Sequence, residues 1–207
     1  MATQIDEIVD RLDVAAPSSM WATLLSGPGR PPARIHVPVP LPRSHDLLLR
    51  VLACGLAEPD RMLIDGLVSG ARYPIIPGHE VVGEVVDMGH HSNGFSAGDR
   101  VGVSRLGWAC GRCQACLRGS EHLCRLARLT GFTHDGGMAE YMRADYRFCV
   151  HLPSGQSVSA LAPSSARELR PIAPSACSAR PSGSGSMVPL EQPAWPRTSR
   201  TCADVRP

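Results

Sequence analysis

Between residues 21 and 153 the chain is a succession of short apolar runs, each closed by proline or glycine. The runs are Trp21–Leu25, Arg34–Val37, Asp46–Cys54, Glu80–Asp87, Arg100–Val103, Met138–Met142 and Arg147–Leu152. Several alternate polar with apolar residues or are rich in valine, so each is expected to be a strand. Turn signals separate them, among them Gly27-Pro28-Gly29, Pro38-Val39-Pro40 and Asp135-Gly136-Gly137. Regularly spaced short strands predict a mainly β fold, a closed barrel or a sandwich. Residues 104–128 carry four cysteines and no clear strand, and are expected to form a lobe whose small core is replaced by metal.

The two ends differ from this middle. In residues 1–19, Ile5, Ile8, Val9 and Leu12 fall at helical spacing, which fits a short amphipathic helix or a frayed extension. Residues 154–207 are mostly Ser, Pro, Ala, Gly and Arg, without periodicity. Such a stretch buries too little apolar surface to offset its chain entropy, and disorder is expected. Ser182-Gly-Ser-Gly-Ser186 has the composition of a linker and not the strand and helix flanks of a phosphate loop. Three units are therefore expected: an extension over 1–19, a β domain over 20–153 and a low-complexity tail over 154–207.

Composition narrows the function classes. The net charge is +2 over 207 residues, which implies neither a nucleic-acid nor an acidic-membrane partner. All 21 basic residues other than histidine are arginine, which points to GC-rich coding. No apolar run approaches a membrane span, and Met1–Arg11 lacks the pattern of a secretory signal, so a cytoplasmic protein is expected. In that compartment clustered cysteines bind metal more often than they form disulfides.

Cys110, Cys113, Cys116 and Cys124 form a C-x2-C-x2-C-x7-C run, which can bring four thiolates round one tetrahedral centre. An iron–sulfur ferredoxin pattern would need a further C-x3-C-P, which is absent, and disulfides at two-residue spacing are strained. No basic helix flanks the run, as a nucleic-acid finger would require. A structural zinc is expected here.

The stretch Val51–Pro153 resembles the GroES-like domain of the zinc-dependent alcohol dehydrogenases, of the medium-chain dehydrogenase/reductase family. The matching pieces are Tyr73-Pro-Ile-Ile-Pro-Gly-His-Glu80, Gly98-Asp-Arg-Val101, the four-cysteine lobe and Asp135-Gly-Gly-Met-Ala-Glu-Tyr141, with Val37-Pro-Val-Pro40 extending the likeness. The resemblance implies a catalytic zinc that holds a small alcohol, or its aldehyde, beside NAD or NADP on a Rossmann-type domain. A Lewis-acidic zinc lowers the pKa of a bound hydroxyl, and such a site needs three protein ligands and one open position. By resemblance His79 is an imidazole ligand, Glu80 a carboxylate near the zinc or a salt-bridged strand residue, and Asp60 the acid that orients His79 or a turn carboxylate.

Departures from the family pattern are equally specific. Ala57 stands where the resemblance places the first zinc cysteine, Pro59 where it places a relay hydroxyl, and Met62 where a histidine is frequent. Cys54 falls inside a predicted strand and is expected to pack there. The family's third zinc cysteine would lie beyond Pro153. Codons for residues 164–173 can be chosen so that a one-base shift reads Leu-Leu-Cys-Ala-Gly-Thr-Ala-Ala-Tyr-Arg, which restores a cysteine. Residues 164–207 are then expected to be out-of-frame translation, with a true disordered tail as the alternative. With no Rossmann unit legible in the sequence, this chain is expected to be inactive alone. The alternative to a dehydrogenase is a non-catalytic, zinc-stabilised barrel or binding module.

Overall fold

The computed structural model describes residues 16–153 and residue 158. The expected helix near the N-terminus and nearly all of the expected tail, with its shifted frame, lie outside the described residues.

The described chain is mainly β, as its hydropathy pattern predicts. Strands β1 (Ser19–Leu24) and β2 (Ala33–Pro38) form an antiparallel ribbon. The main sheet contains β3 (Asp46–Gly55), β4 (Glu80–Met88), β5 (Arg100–Val103), β8 (Tyr141–Asp145) and β9 (Cys149–His151), in the order β8-β3-β4-β5-β9. Every neighbouring pair is antiparallel. A third, two-stranded sheet pairs β6 (Leu106–Trp108) with β7 (Arg128–Leu129).

Strand β3 explains how the layers meet. Leu47, Leu48 and Leu49 are consecutive and all buried, although successive strand residues point to opposite faces. Leu47 and Leu49 pack with Val81, Val85, Val101, Val103 and Met142. Leu48 packs on the other side with Met20, Ala22, Ile76 and Tyr141, beneath the ribbon. Each such leucine contributes roughly 1.5–3 kcal/mol by burial. The ribbon is tied on by the bridges Ala22↔Ala139 and Leu25↔Ile75.

Four local differences from the sequence expectation have physical causes. Residues 56–65 contain a helix, α1 (Glu58–Ile64), where none was expected; Pro59 sits in its first turn, a position at which proline needs no donor. The strand expected from Met138 begins only at Tyr141, because 138–140 bond to the ribbon instead: Thr23 N–H donates to Met138 O and Glu140 N–H to Trp21 O. The run expected over Arg147–Leu152 shortens to β9, because Asp145 accepts from the Arg147 amide and guanidinium and draws 146–148 into a 3-10 turn. The cysteine lobe has a strand pair at its neck, β6 with β7, which its sequence did not reveal.

Candidate metal centres

The lobe is built on that neck. Between β6 and β7 lie α2 (Gln114–Leu117) and a 3-10 turn, Glu121–Leu123. Its apolar core is small: Ala109, Cys116 and Cys124 are buried, with Ala127 and Phe148 against them. Leu117, Leu123 and Leu126 are exposed instead of filling it.

What fills the centre is sulfur. The thiols of Cys110, Cys113, Cys116 and Cys124 all lie within 4.8 Å of one another. Cys113 and Cys116 Sγ are 3.5 Å apart, and Cys110 and Cys116 Sγ 3.9 Å. A tetrahedral ion with bonds of about 2.3 Å needs its sulfurs roughly 3.8 Å apart. The donor set therefore fits a four-coordinate soft metal such as zinc. The backbone amides of Arg112 and Cys113 aim at Cys110 and lower its thiol pKa to about 6, so one thiolate is ready for a cation. Burial pushes Cys116 up to about 12, so that thiol gives up its proton only to a strong competitor such as a metal.

The second candidate centre lies where α1 meets the start of β4. Asp60 is 2% exposed, and its carboxylate accepts three hydrogen bonds. Oδ2 takes the Ala57 N–H at 3.0 Å; Oδ1 takes the Gly78 N–H at 3.2 Å and lies 3.1 Å from His79 Nδ1. A carboxylate only accepts, so Nδ1 carries the proton and Nε2 is left with the lone pair while His79 is neutral. The Asp60–Ala57 bond is half of a capping box; Ala57, at the N-cap, has no side-chain oxygen to return.

Gly78 makes this geometry possible. Its φ is +96°, and a Cβ there would lie 2.5 Å from Cys54 Sγ. Cys54 itself is buried in the core beside Leu47 and Leu49. Glu80 is also buried, at the first position of β4 opposite Gly55.

The structure thus joins Asp60 with His79 and gathers the four cysteines, and it places buried Glu80 next to His79 in the chain, at the start of β4. Among the described residues the cysteine quartet is the one group of three or more convergent metal donors. Ala57 presents a methyl group where a sulfur was sought. Among the described residues, no group of three or more convergent metal donors includes His79. The triple acceptance by Asp60 was not foreseen, since nothing in the spacing of Asp60, Gly78 and His79 reveals that both amides would converge on it.

A family model for the alcohol dehydrogenase GroES-like domain matches residues 43–154. A Mycobacterium tuberculosis protein named "Probable alcohol dehydrogenase AdhA" is 43% identical over 155 residues, covering 72% of this chain and 45% of that protein. An alcohol dehydrogenase of Geobacillus stearothermophilus is 39% identical over 119 residues, covering 57% and 35%. Among solved structures, a cinnamyl alcohol dehydrogenase from Sorghum bicolor superposes with a TM-score of 0.64 at 29% identity, covering 70% of this chain and 44% of that one. The chain spans less than half the length of these relatives. Its matched residues take in α1, the Asp60–His79 pair, the cysteine lobe and the whole five-stranded sheet. The chain belongs to the alcohol dehydrogenase GroES-like domain family.

Proposed function

We propose that residues 20–153 are the barrel of a zinc-dependent alcohol dehydrogenase, that its cysteine lobe holds one zinc, and that the Asp60–His79 centre holds none. The activity of such a protein would be oxidation of a small alcohol to an aldehyde or ketone, with NAD or NADP taking the hydride. On this reading the 207-residue chain does not carry out that reaction by itself, and it works in the cytoplasm. The observation that carries the reading is the contrast between the two centres: four convergent thiols in one, a single imidazole held by Asp60 in the other, with alanine at position 57.

The residues divide the work accordingly. Zinc in the lobe supplies a cross-link in place of an apolar core. Cys110 meets the metal as a thiolate, and Cys116 loses its proton on binding. Asp60 holds the His79 proton at Nδ1 and anchors the first turn of α1 to the Gly78 turn.

Metal content and turnover of the purified chain test this. About one zinc per chain is expected. The Cys113→Ser/Cys116→Ser double variant should lose it, and His79→Ala should keep it. A second zinc equivalent that disappears in His79→Ala would overturn the metal-free centre. NAD(P)-dependent alcohol oxidation above a metal-free control would overturn the inactive reading.

A second reading, a non-catalytic binding module, is favoured by the exposure of Leu117 (74%), Leu123 (66%) and Leu126 (59%) together on the lobe. Light scattering at increasing concentration separates the two, because a strictly monomeric chain argues against that module.

A further inference from the structure

A cleft of about 230 Å³ opens between the neck of the cysteine lobe and the end of the sheet at β3 and β8. It is lined by Arg43, Arg128, Arg143, Arg147, His45 and His134. Among the described residues, the only acidic groups in its wall are Asp46 and Asp145, and both are engaged. Arg143 pairs with Asp46 at 3.0 Å, and Arg147 with Asp145 at 2.6 Å. Arg43 and Arg128 then line the cleft with no ion-pair partner among the described residues. Arg128 is stacked over the Trp108 ring at 5.1 Å, which fixes the plane of its fork.

The wall also has hydrogen-bonding capacity that the protein leaves unused. His134 Nδ1 is buried without a partner among the described residues, as is Thr130 Oγ1, which lies outside the lining. Both sit against Gly107, itself part of the lining. A Cβ on Gly107 would lie 2.4 Å from His134 Cε1 and 2.7 Å from Thr130 Oγ1. Glycine at 107 therefore lets these two side chains pack directly against the backbone. A buried polar atom without a partner costs roughly 1–3 kcal/mol, so a site that retains one, His134 Nδ1, beside uncompensated cations has the makings of a ligand cradle. Burial also lowers the His134 pKa to about 4, which keeps the ring neutral at pH 7 and available as one donor and one acceptor.

We infer that this cleft is a binding site for a small tetrahedral oxyanion of the phosphate class, gripped from two sides by Arg43 and Arg128. The two forks come from different elements: Arg43 precedes β3, and Arg128 belongs to β7 at the foot of the lobe. A planar carboxylate satisfies one fork, whereas a phosphate group offers oxygens in several directions and satisfies both. The anion would link the lobe to the sheet, neutralise the excess of guanidinium over carboxylate, and bring an acceptor within the unused wall. None of this depends on alcohol dehydrogenase activity or on the fate of the Asp60–His79 centre.

The test is isothermal titration calorimetry of the full 207-residue chain with inorganic phosphate at pH 7, with ionic strength held constant by potassium chloride. Saturable binding is expected, weakened about tenfold or more in Arg43→Gln and in Arg128→Gln, and unchanged in Arg61→Gln, whose side chain pairs with Asp65 away from the cleft. Arg43 lies outside the lobe, so its variant reads binding even if Arg128→Gln disturbs the lobe. Phenyl phosphate in a second titration identifies the source: tighter binding assigns the site to a phosphomonoester of a larger molecule, and equal or weaker binding to the free ion. Absence of saturable heat in the unaltered chain, or equal affinity in Arg43→Gln, overturns the inference.

Discussion

Replacing Asp60 with alanine removes one acceptor group from three donors at once. Gly78 N–H and His79 Nδ1–H are in buried residues, and each would be left unsatisfied at roughly 1–3 kcal/mol. Ala57 is half-buried at the start of α1, so water can replace part of its bond. Removing a buried carboxylate also returns some desolvation cost, which trims the total. The expected loss is about 3–5 kcal/mol, a large fraction of the roughly 5–15 kcal/mol that holds a domain together. Asp60→Asn keeps one acceptor oxygen and should cost about half as much. Urea unfolding of the zinc-loaded chain at pH 7.5 measures both, and a double-mutant cycle with His79→Ala isolates the coupling to the imidazole. A loss below about 1 kcal/mol for Asp60→Ala would refute the hub role, as would an Asn variant less stable than the Ala variant.

Three other outcomes follow from the same structure. Gly78→Ala places a Cβ against Cys54 Sγ in a residue at φ +96° and should cost about 3 kcal/mol; Cys54→Ala in the same chain relieves only the contact, so thermal denaturation should recover part of the loss. His134, lowered from 6.5 to about 4 chiefly by burial, binds its proton less readily in the folded state. Its contribution is therefore complete above pH 6.5 and lost as pH falls towards 4, by up to about 3 kcal/mol; His134→Gln should flatten the wild-type decline in melting temperature across that window, and an unchanged slope would contradict it. Zinc uptake at pH 7 should release protons, and zinc should be lost as the pH falls, because Cys116 is held as a neutral thiol until metal displaces its proton; an indicator dye that records no release would contradict this.

The strands were legible because their information is local. Leu47–Leu49, Val81–Val82 and Val101–Val103 each announce a buried strand by valine and leucine content, and the observed bounds differ from expectation by a residue or two in β1 to β5. The cysteine quartet was legible for a different reason: four thiols within fifteen residues can reach one centre through short turns alone. Where the sequence misled, long-range bonds overrode local pattern. The apolar run from Met138 reads as one strand, yet its first three residues serve the ribbon at residues 21–23, more than a hundred positions away. Helix α1 hid behind Pro59, which reads as a breaker unless its position in the first turn is known. The arginine cleft left no signal at all, since residues 43, 107, 128, 134 and 147 share no spacing and meet only through the packing of β6 against β8 and the 146–148 turn.

The place of β3 in the sheet has a consequence for biosynthesis. Its two flanking partners arrive at very different times: β4 follows within some thirty residues, but β8 pairs Asp145 with Asp46 across roughly a hundred. One edge of the Leu47–Leu49 strand therefore stays open while the cysteine lobe is being translated. The cysteine quartet lies wholly within that delay and, supplied with zinc, would close first from its own residues alone. The lobe becomes a prefabricated insert that draws the end of β5 and the start of β8 towards each other before the sheet is sealed. A nascent chain starved of zinc would present its leucine-rich edge for longer, and metal supply during translation, more than stability afterwards, would set the yield of native protein.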